Sequence, residues 1–372
     1  MSRYLFSSHD GFGLGHVRRN TLIARALLAQ DPDAEIALVT GVAMRPAWLG
    51  DERMHVVEVP PLLKDSDGAY RNSELSFEQA VERRADAFAE AVRSFAPDAV
   101  IVDRHPYGLA GELRPGLEQA SRQGAALVLG LRDILDEPSR VRAELAGRGW
   151  DGVDEVYDEV LVYGERSLCD HEAEYGLAVR PKYCGWVVEH PRPVARDHEL
   201  FVVTAGGGGD GEGVFRLGVE LVRSMPQRRA VVVAGPYAAT AAAEGLLADP
   251  LIARRVELVR DAPGCVELFA TANGVVQMAG YNSTFEALAA GIRPVLVPRR
   301  SPRREQAIRA SRLAALGLAD VVDENAPADE VAWLLSRPRA LGADQLLAAG
   351  VHLDGAVRAA SQLRLLAAVP AR

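Results

Sequence analysis

One stretch narrows the fold more than any other: Gly274-Val-Val-Gln-Met-Ala-Gly280-Tyr-Asn282-Ser-Thr-Phe-Glu286-Ala-Leu-Ala-Ala-Gly291-Ile-Arg-Pro294-Val-Leu-Val-Pro298. Its apolar start reads as a buried strand, Gly280 as a turn, and Asn282, Ser283 and Thr284 as the opening of a helix. A second strand and a polar loop containing Arg304-Glu305-Gln306 follow. A strand that hands small residues to a helix start makes an anion site, because unpaired backbone N–H groups and the positive end of the helix dipole converge there. Glycine at position 280 leaves room for a phosphate. Glu286 lies one turn inside the helix, where a carboxylate cannot serve phosphate but can accept hydrogen bonds from vicinal hydroxyls, as on a ribose. Phosphate at the tip and a diol acceptor one turn on point to a nucleotide diphosphate.

The rest of the chain repeats the same alternation. Tyr4–Ser8 is a short apolar strand followed by Gly11, Gly13, Gly15 and His16 and then a helix. Leu200–Thr204 is a second such strand, followed by Gly206, Gly207, Gly208 and Gly209 and a helix from near Val214. Further strands are expected at 35–40, 56–59, 99–103, 125–129 and 160–163, then at 229–234, 256–259, 274–278 and 294–297, with a long helix over 76–95. Short apolar runs separated by helical patterns imply parallel sheets covered on both faces. The expectation is an α/β chain of two doubly wound Rossmann-like domains. The prolines at 181, 191 and 193 mark the junction. An N-terminal domain over 1–190, a second over 191–352 and a closing helix over 353–372, packed back on the first domain, complete the division.

At 372 residues the chain has the length for two such domains. A net charge of −9 argues against a general nucleic-acid surface, although local dipoles can still hold a small anion. Cys169, Cys184 and Cys265 fit no metal or redox spacing and are expected as reduced thiols of a cytoplasmic protein. The start, Met1-Ser-Arg-Tyr-Leu-Phe-Ser, lacks the profile of a signal peptide, and no apolar run reaches membrane-spanning length. Peripheral membrane contact stays open.

Neither glycine loop is a dinucleotide or P-loop fingerprint. The third glycine of G-x-G-x-x-G falls on His16, the second strand ends at Thr40-Gly41 instead of an acidic residue, and G-x-x-x-x-G-K-[ST] is absent. An imidazole at the tip of a helix has the pKa to take a proton from a hydroxyl near neutrality; the alternative is a histidine that caps its own helix. Asp103, at the carboxyl end of a strand, either orients His16, binds acceptor or caps the next helix. His105 and Arg132 lie at the same sheet edge; Arg132 either lines the acceptor side or pairs locally with Asp133. The 206–211 loop is either a ligand contact or a turn. Asp65-Ser66-Asp67 has the form of a metal-binding D-x-D but reads better as a turn. Arg299, Arg300, Arg303 and Arg304 read as solvated surface, or as cations that offset leaving-group charge.

The second half resembles the GT-B nucleotide-sugar glycosyltransferases, in particular the peptidoglycan N-acetylglucosaminyltransferases. The residues that carry the likeness are Ala279-Gly280, Ser283-Thr284, Glu286, Ala289-Ala-Gly291-Ile-Arg-Pro294 and Glu305-Gln306. Gly13-Leu-Gly15-His16-Val-Arg18 is similar to that family's acceptor loop. It is closer still to the loop of the nucleotide-sugar hydrolases of pseudaminic acid synthesis, whose histidine activates water. Over its full length the chain looks most like uncharacterised bacterial predicted glycosyltransferases. The resemblance implies a GT-B fold with two domains facing a cleft, and an inverting, metal-independent glycosyltransferase using a UDP- or dTDP-sugar and a hydroxyl acceptor. His16 and Asp103 would be catalytic. Gly206, Gly207, Gly208, Arg260, Gly280, Asn282, Ser283, Thr284, Glu286, Glu305 and Gln306 would hold the donor, and Gly13, Gly15, His105 and Arg132 the acceptor. No cofactor beyond the donor substrate is implied. A nucleotide-sugar hydrolase and a catalytically silent nucleotide-sugar-binding partner are the alternatives.

Overall fold

The computed structural model describes residues 2–8, 14–42, 51–64, 70–206, 211–235, 249–260, 262 and 264–368. The chain divides into two compact units, Met1–Val187 with Asp354–Arg372, and Val188–Leu353.

The first unit begins with strands β1 (Arg3–Ser7), β2 (Glu35–Thr40) and β3 (Met54–Glu58), then a short ladder of β4 (Leu63–Lys64) and β5 (Tyr70–Arg71). It continues with β6 (Ala99–Asp103), β7 (Ala126–Arg132), β8 (Glu159–Tyr163) and β9 (Lys182–Tyr183). Seven of these form one sheet in the order β3-β2-β1-β6-β7-β8-β9. Every neighbouring pair in it is parallel. β6 and β8 are buried along their whole length, so both sheet faces are covered and the strands read as unbroken apolar runs. The antiparallel β4–β5 ladder flanks the D-x-D segment, which lies outside the described residues.

The chain runs outward from β1 to β3 and then returns to lay β6 on the other side of β1. That reversal places a switch point at the carboxyl ends of β1 and β6, the position where open α/β sheets receive ligands. Ser7 pairs in register with Val102, so Asp103 lies one residue past the β1–β6 ladder while still pairing with Gly130 of β7.

The second unit repeats the design with six parallel strands. They are β10 (Asp197–Thr204), β11 (Arg229–Val233), β12 (Val256–Val259), β13 (Ala272–Gln277), β14 (Val295–Leu296) and β15 (Asp320–Val321). Their order across the sheet is β12-β11-β10-β13-β14-β15. Here the switch point falls between β10 and β13. Thr204 and Gln277, their last residues, are register partners, and Met278 N–H donates to Thr204 O at 3.2 Å. Gly206, after β10, and the turn before the Tyr281–Ala289 helix therefore leave the same sheet edge side by side.

Helix ends follow local chemistry. Ser76 caps the Phe77–Phe95 helix by accepting from Gln79 N–H, and the Gln79 side chain returns the bond, a complete capping box. The buried face of that helix, Ala80, Arg84, Phe88, Ala91 and Val92, has the three-and-four spacing of an amphipathic stripe. Among the described residues no helix is long and apolar enough to cross a membrane.

The last helix, Gly355–Ala367, belongs to the first unit and packs along the Gly15–Gln30 helix. Gly355 N–H donates to Trp186 O at 3.0 Å, Val187 and Asp354 form an antiparallel bridge, and Gln30 Nε2 donates to Val357 O at 3.0 Å. A Cβ on Gly355 would fall 2.5 Å from both Gly185 O and Trp186 C, backbone atoms with no rotamer to relieve the overlap. Gly355→Val should therefore destabilise the fold by about 1–3 kcal/mol, the usual cost of overpacking. Thermal unfolding followed by circular dichroism should show a lowered Tm; an unchanged Tm would show that the helix is not seated this way.

Candidate functional site

At the first switch point the Gly15–Gln30 helix starts directly behind β1 and carries His16 as its second residue. His16 Nδ1 lies 2.9 Å from Asp103 Oδ2, across 87 residues of sequence. Arg19, one turn further along the helix, places Nη2 2.8 Å from both oxygens of Asp103 and 3.1 Å from His16 Nδ1. The tautomer follows from the partners. An ionised carboxylate only accepts, which calls for a proton on Nδ1, whereas a guanidinium only donates, which calls for a lone pair there; assigning the proton to Nδ1 satisfies the shorter contact, to Asp103 at 2.9 Å. The Arg19–His16 approach is then two donors meeting on one acceptor. Nε2 is left holding the lone pair, the form a general base needs.

The Asp103 side chain is 1 % exposed and that of His16 17 %. Burial alone would raise the Asp103 carboxyl, but Arg19 and His16 outweigh it and bring its pKa down to about 2. Burial also lowers the His16 imidazole below its ordinary value; Asp103 opposes that shift, while Arg19 and Arg132 add to it. The pair is thus an anionic carboxylate and a neutral imidazole at neutral pH.

The strand ends abruptly at this point. Arg104 has φ +73°, and His105 N–H donates back to Asp103 O at 3.0 Å, a γ-turn on a residue other than glycine. Such a conformation costs about 1–3 kcal/mol and persists only when held from outside. Here Arg104 N–H donates to Gly130 O at 2.9 Å, and Nη2 reaches both oxygens of Glu144 at 2.8 and 2.9 Å. The Asp103 carboxylate turns toward His16 and Arg19, so it is not the cap of the next helix.

Gly15 opens the helix that carries His16, and half-buried His105 follows the γ-turn. Gly13 lies outside the described residues. Arg132, at the end of β7, donates from Nη2 to Leu135 O at 3.1 Å, and its own carbonyl accepts from His171 Nε2 at 3.1 Å. Asp133 is buried and accepts from Ile134 N–H at 2.7 Å and Trp186 Nε1 at 3.3 Å, so it serves the fold.

At the second switch point the helix begins at Tyr281, one residue before the expected start, with Gly280 at its N-cap. Gly280 has an ordinary extended backbone, φ −66° and ψ 150°, so conformation does not demand glycine. Its consequence is a helix start with no capping side chain. Asn282 and Ser283 in the first turn are half-buried. Thr284 is wholly buried, and its N–H donates to Gly280 O at 3.1 Å as the first bond of the helix.

Two side chains brace this turn from within. Gln277 Nε2 donates to Ser283 O at 3.1 Å, and the buried Arg309 donates from Nη1 to Ala279 O at 2.7 Å. Glu286 is 2 % exposed and Oε2 accepts from Cys265 N–H at 2.9 Å. A carboxylate one turn inside the helix therefore also holds Cys265, the N-cap of the Val266–Thr271 helix; Arg260, after β12, has an exposed side chain, and Asp261 lies outside the described residues. Gly206 follows β10 with φ +70° and open space where a Cβ would sit, so its backbone, not crowding, calls for glycine. Gly207 and Gly208 lie outside the described residues.

Glu305 and Gln306 form the first turn of the Glu305–Ala315 helix and are both buried. Arg299 engages both: its Nη2 donates to Glu305 Oε1 at 2.8 Å and its N–H to Gln306 Oε1 at 3.2 Å. Arg300 instead pairs with Asp323 at 3.4 Å on the surface, where an ion pair contributes little. Sequence reasoning missed Arg19 and Arg309. Arg19 had a signal, a basic residue three positions after His16 on one helical face; Arg309 had none, because a buried arginine reads as surface.

Neither a protein-family model nor a curated protein sequence matches the chain. Solved structures do match in fold. A glycotransferase of kitacinnamycin superposes with a TM-score of 0.66 at 16% identity, covering 98% of both chains. MurG of Acinetobacter baumannii gives 0.58 at 13%, over 98% of this chain and 99% of its own. A ugt transferase from Siraitia grosvenorii, in complex with UDP, gives 0.57 at 14%, over 99% and 94%. The fold is that of the GT-B glycosyltransferases, with two Rossmann-like domains.

The electrostatics of the dyad has a measurable sign. In wild-type protein the His16 ring should titrate below the ordinary histidine value when followed by NMR. Asp103→Asn removes the anion that favours imidazolium, so the titration should move lower still. A value at or above the ordinary one, or an upward move in the variant, would contradict this arrangement.

Proposed function

We propose that the chain is an inverting glycosyltransferase that moves a sugar from a nucleotide diphosphate sugar, UDP- or dTDP-linked, to a hydroxyl acceptor. The observation that carries the proposal is the His16–Asp103 pair at the first switch point, with Nδ1 2.9 Å from the carboxylate. Acceptor binding is assigned to the first unit, around Gly15, His105 and Arg132. Donor binding is assigned to the second, with Gly206, Gly280, Asn282 and Ser283 at the phosphates, Glu286 at the ribose, and Glu305 and Gln306 at the sugar. The UDP bound in the Siraitia grosvenorii structure supports a uridine donor for a chain of this fold.

In the proposed step His16 Nε2 takes the acceptor O–H proton as the acceptor oxygen bonds to the anomeric carbon. The bond from that carbon to the diphosphate oxygen breaks on the opposite face, and its electron pair leaves with the diphosphate. The imidazolium that forms is balanced by Asp103. The charge arriving on the diphosphate meets the uncapped start of the Tyr281–Ala289 helix, and a donor aimed at developing charge is worth about 3–4 kcal/mol. In this reading the leaving group needs no metal.

Three assays test the proposal. With UDP- and dTDP-sugars, nucleotide should be released only when an alcohol acceptor is present. Release without acceptor would point to hydrolysis, since the same base can take a proton from water; binding without release would point to a silent partner. His16→Ala should lower transfer by about 10²–10⁴-fold with donor Kd unchanged, and unchanged turnover would remove His16 from the mechanism. Glu286→Gln, which keeps an acceptor for Cys265 N–H, should weaken nucleotide binding by roughly tenfold, the worth of a hydrogen bond to a charged group. An unaltered Kd would refute the ribose assignment.

A further inference from the structure

Arg19 is 2 % exposed on the inner face of the Gly15–Gln30 helix, among Val17, Ile23 and Ala24, where an apolar side chain would be ordinary. Burying a guanidinium is costly unless its partners repay the lost hydration. The partner is Asp103, whose two oxygens sit 2.8 Å from one Nη2, and the guanidinium carbon lies 5.3 Å from the Tyr163 ring centroid. A cation is therefore fixed on the carboxylate that also receives His16 Nδ1–H.

We propose that Arg19 is a positioning residue for the His16–Asp103 base: it holds the carboxylate against His16 Nδ1, and it sets the charge against which the imidazole accepts its proton. The proposal rests on the glycosyl-transfer reading and adds a role to that site.

Charge counting gives the direction. With Arg19 present, Asp103 and Arg19 cancel, and protonating His16 takes the cluster from neutral to +1. Without Arg19 the same proton takes it from −1 to neutral, which is easier in a buried site. Among the described residues, the charged groups that act on His16 include Asp103 from β6, Arg19 from its own helix and Arg132 from β7; the first favours the imidazolium and the other two oppose it. Arg19 thus lets a buried carboxylate orient the imidazole without protonating it before the acceptor is bound. It also holds both oxygens of Asp103, which keeps the carboxylate beside His16 Nδ1.

The test is the pH dependence of an uncharged variant. In Arg19→Met the His16 ring, followed by NMR, should titrate at higher pH than in wild type. The acid limb of the transfer rate should move up with it, with a rate near pH 6 roughly tenfold below wild type and recovery toward pH 9, as for a base whose protonation state limits the rate. Arg19→Lys, which keeps the charge, should hold the acid limb near its wild-type position. Arg19→Gln, polar and uncharged, should repeat the Met result if Arg19→Met does not fold. A rate that falls equally at every pH, with the His16 titration unmoved, would reduce Arg19 to a packing residue and overturn the proposal. The two readings fail separately. Wild-type protein with no turnover on any nucleotide sugar sinks the transfer reading, whereas the NMR titration of His16 needs no turnover and judges Arg19 alone.

Discussion

The first unit turns on one buried carboxylate. Asp103 is almost sealed from water, and an anion there survives only because two donors from one helix, His16 and Arg19, converge on it. That requirement fixes the way the Gly15–Gln30 helix leaves β1, the sharp γ-turn that ends β6 at Arg104, and the Glu144 pairing that holds the turn. It also fixes which nitrogen of His16 keeps its lone pair. Local geometry and chemical role have a common cause.

The second unit meets a different constraint, a helix that starts without a cap. A helix end deprived of a capping side chain leaves its first N–H groups to other partners. The turn before Tyr281 is held from behind, by Gln277 and Arg309 on backbone carbonyls, rather than by a cap in front. Glu286 joins this helix to the Cys265 loop, so the proposed phosphate and ribose contacts share one rigid support. Preorganised dipoles act on developing charge only when they need not move, which is what such bracing secures.

Much of the fold was legible because parallel strands covered on both faces are apolar throughout. Runs such as Ala99–Asp103 and Val256–Val259 stand between helical patterns and are too short for helices of their own, and those two match their strands end to end. β9 and β15 escaped because two residues carry no period, and the β4–β5 ladder for the same reason. Of the site, His16 and Asp103 were legible from a helix tip and a strand end, with orientation of His16 one of three readings of Asp103. Their contact depends on β6 returning beside β1, which the strand order shows and the spacing does not. Thr284 was expected at the helix start from its hydroxyl, and its burial followed from helical rotation, which spacing alone does not fix. Arg19 and Arg309 were hidden by the rule that arginine belongs in water.

The central claim is a single displacement at the anomeric carbon, driven by a base that takes the acceptor proton. The most direct test is the stereochemistry of the product, read from its anomeric proton by NMR as an α-linked nucleotide sugar turns over. The account predicts a β-linked product; an α-linked product would contradict it.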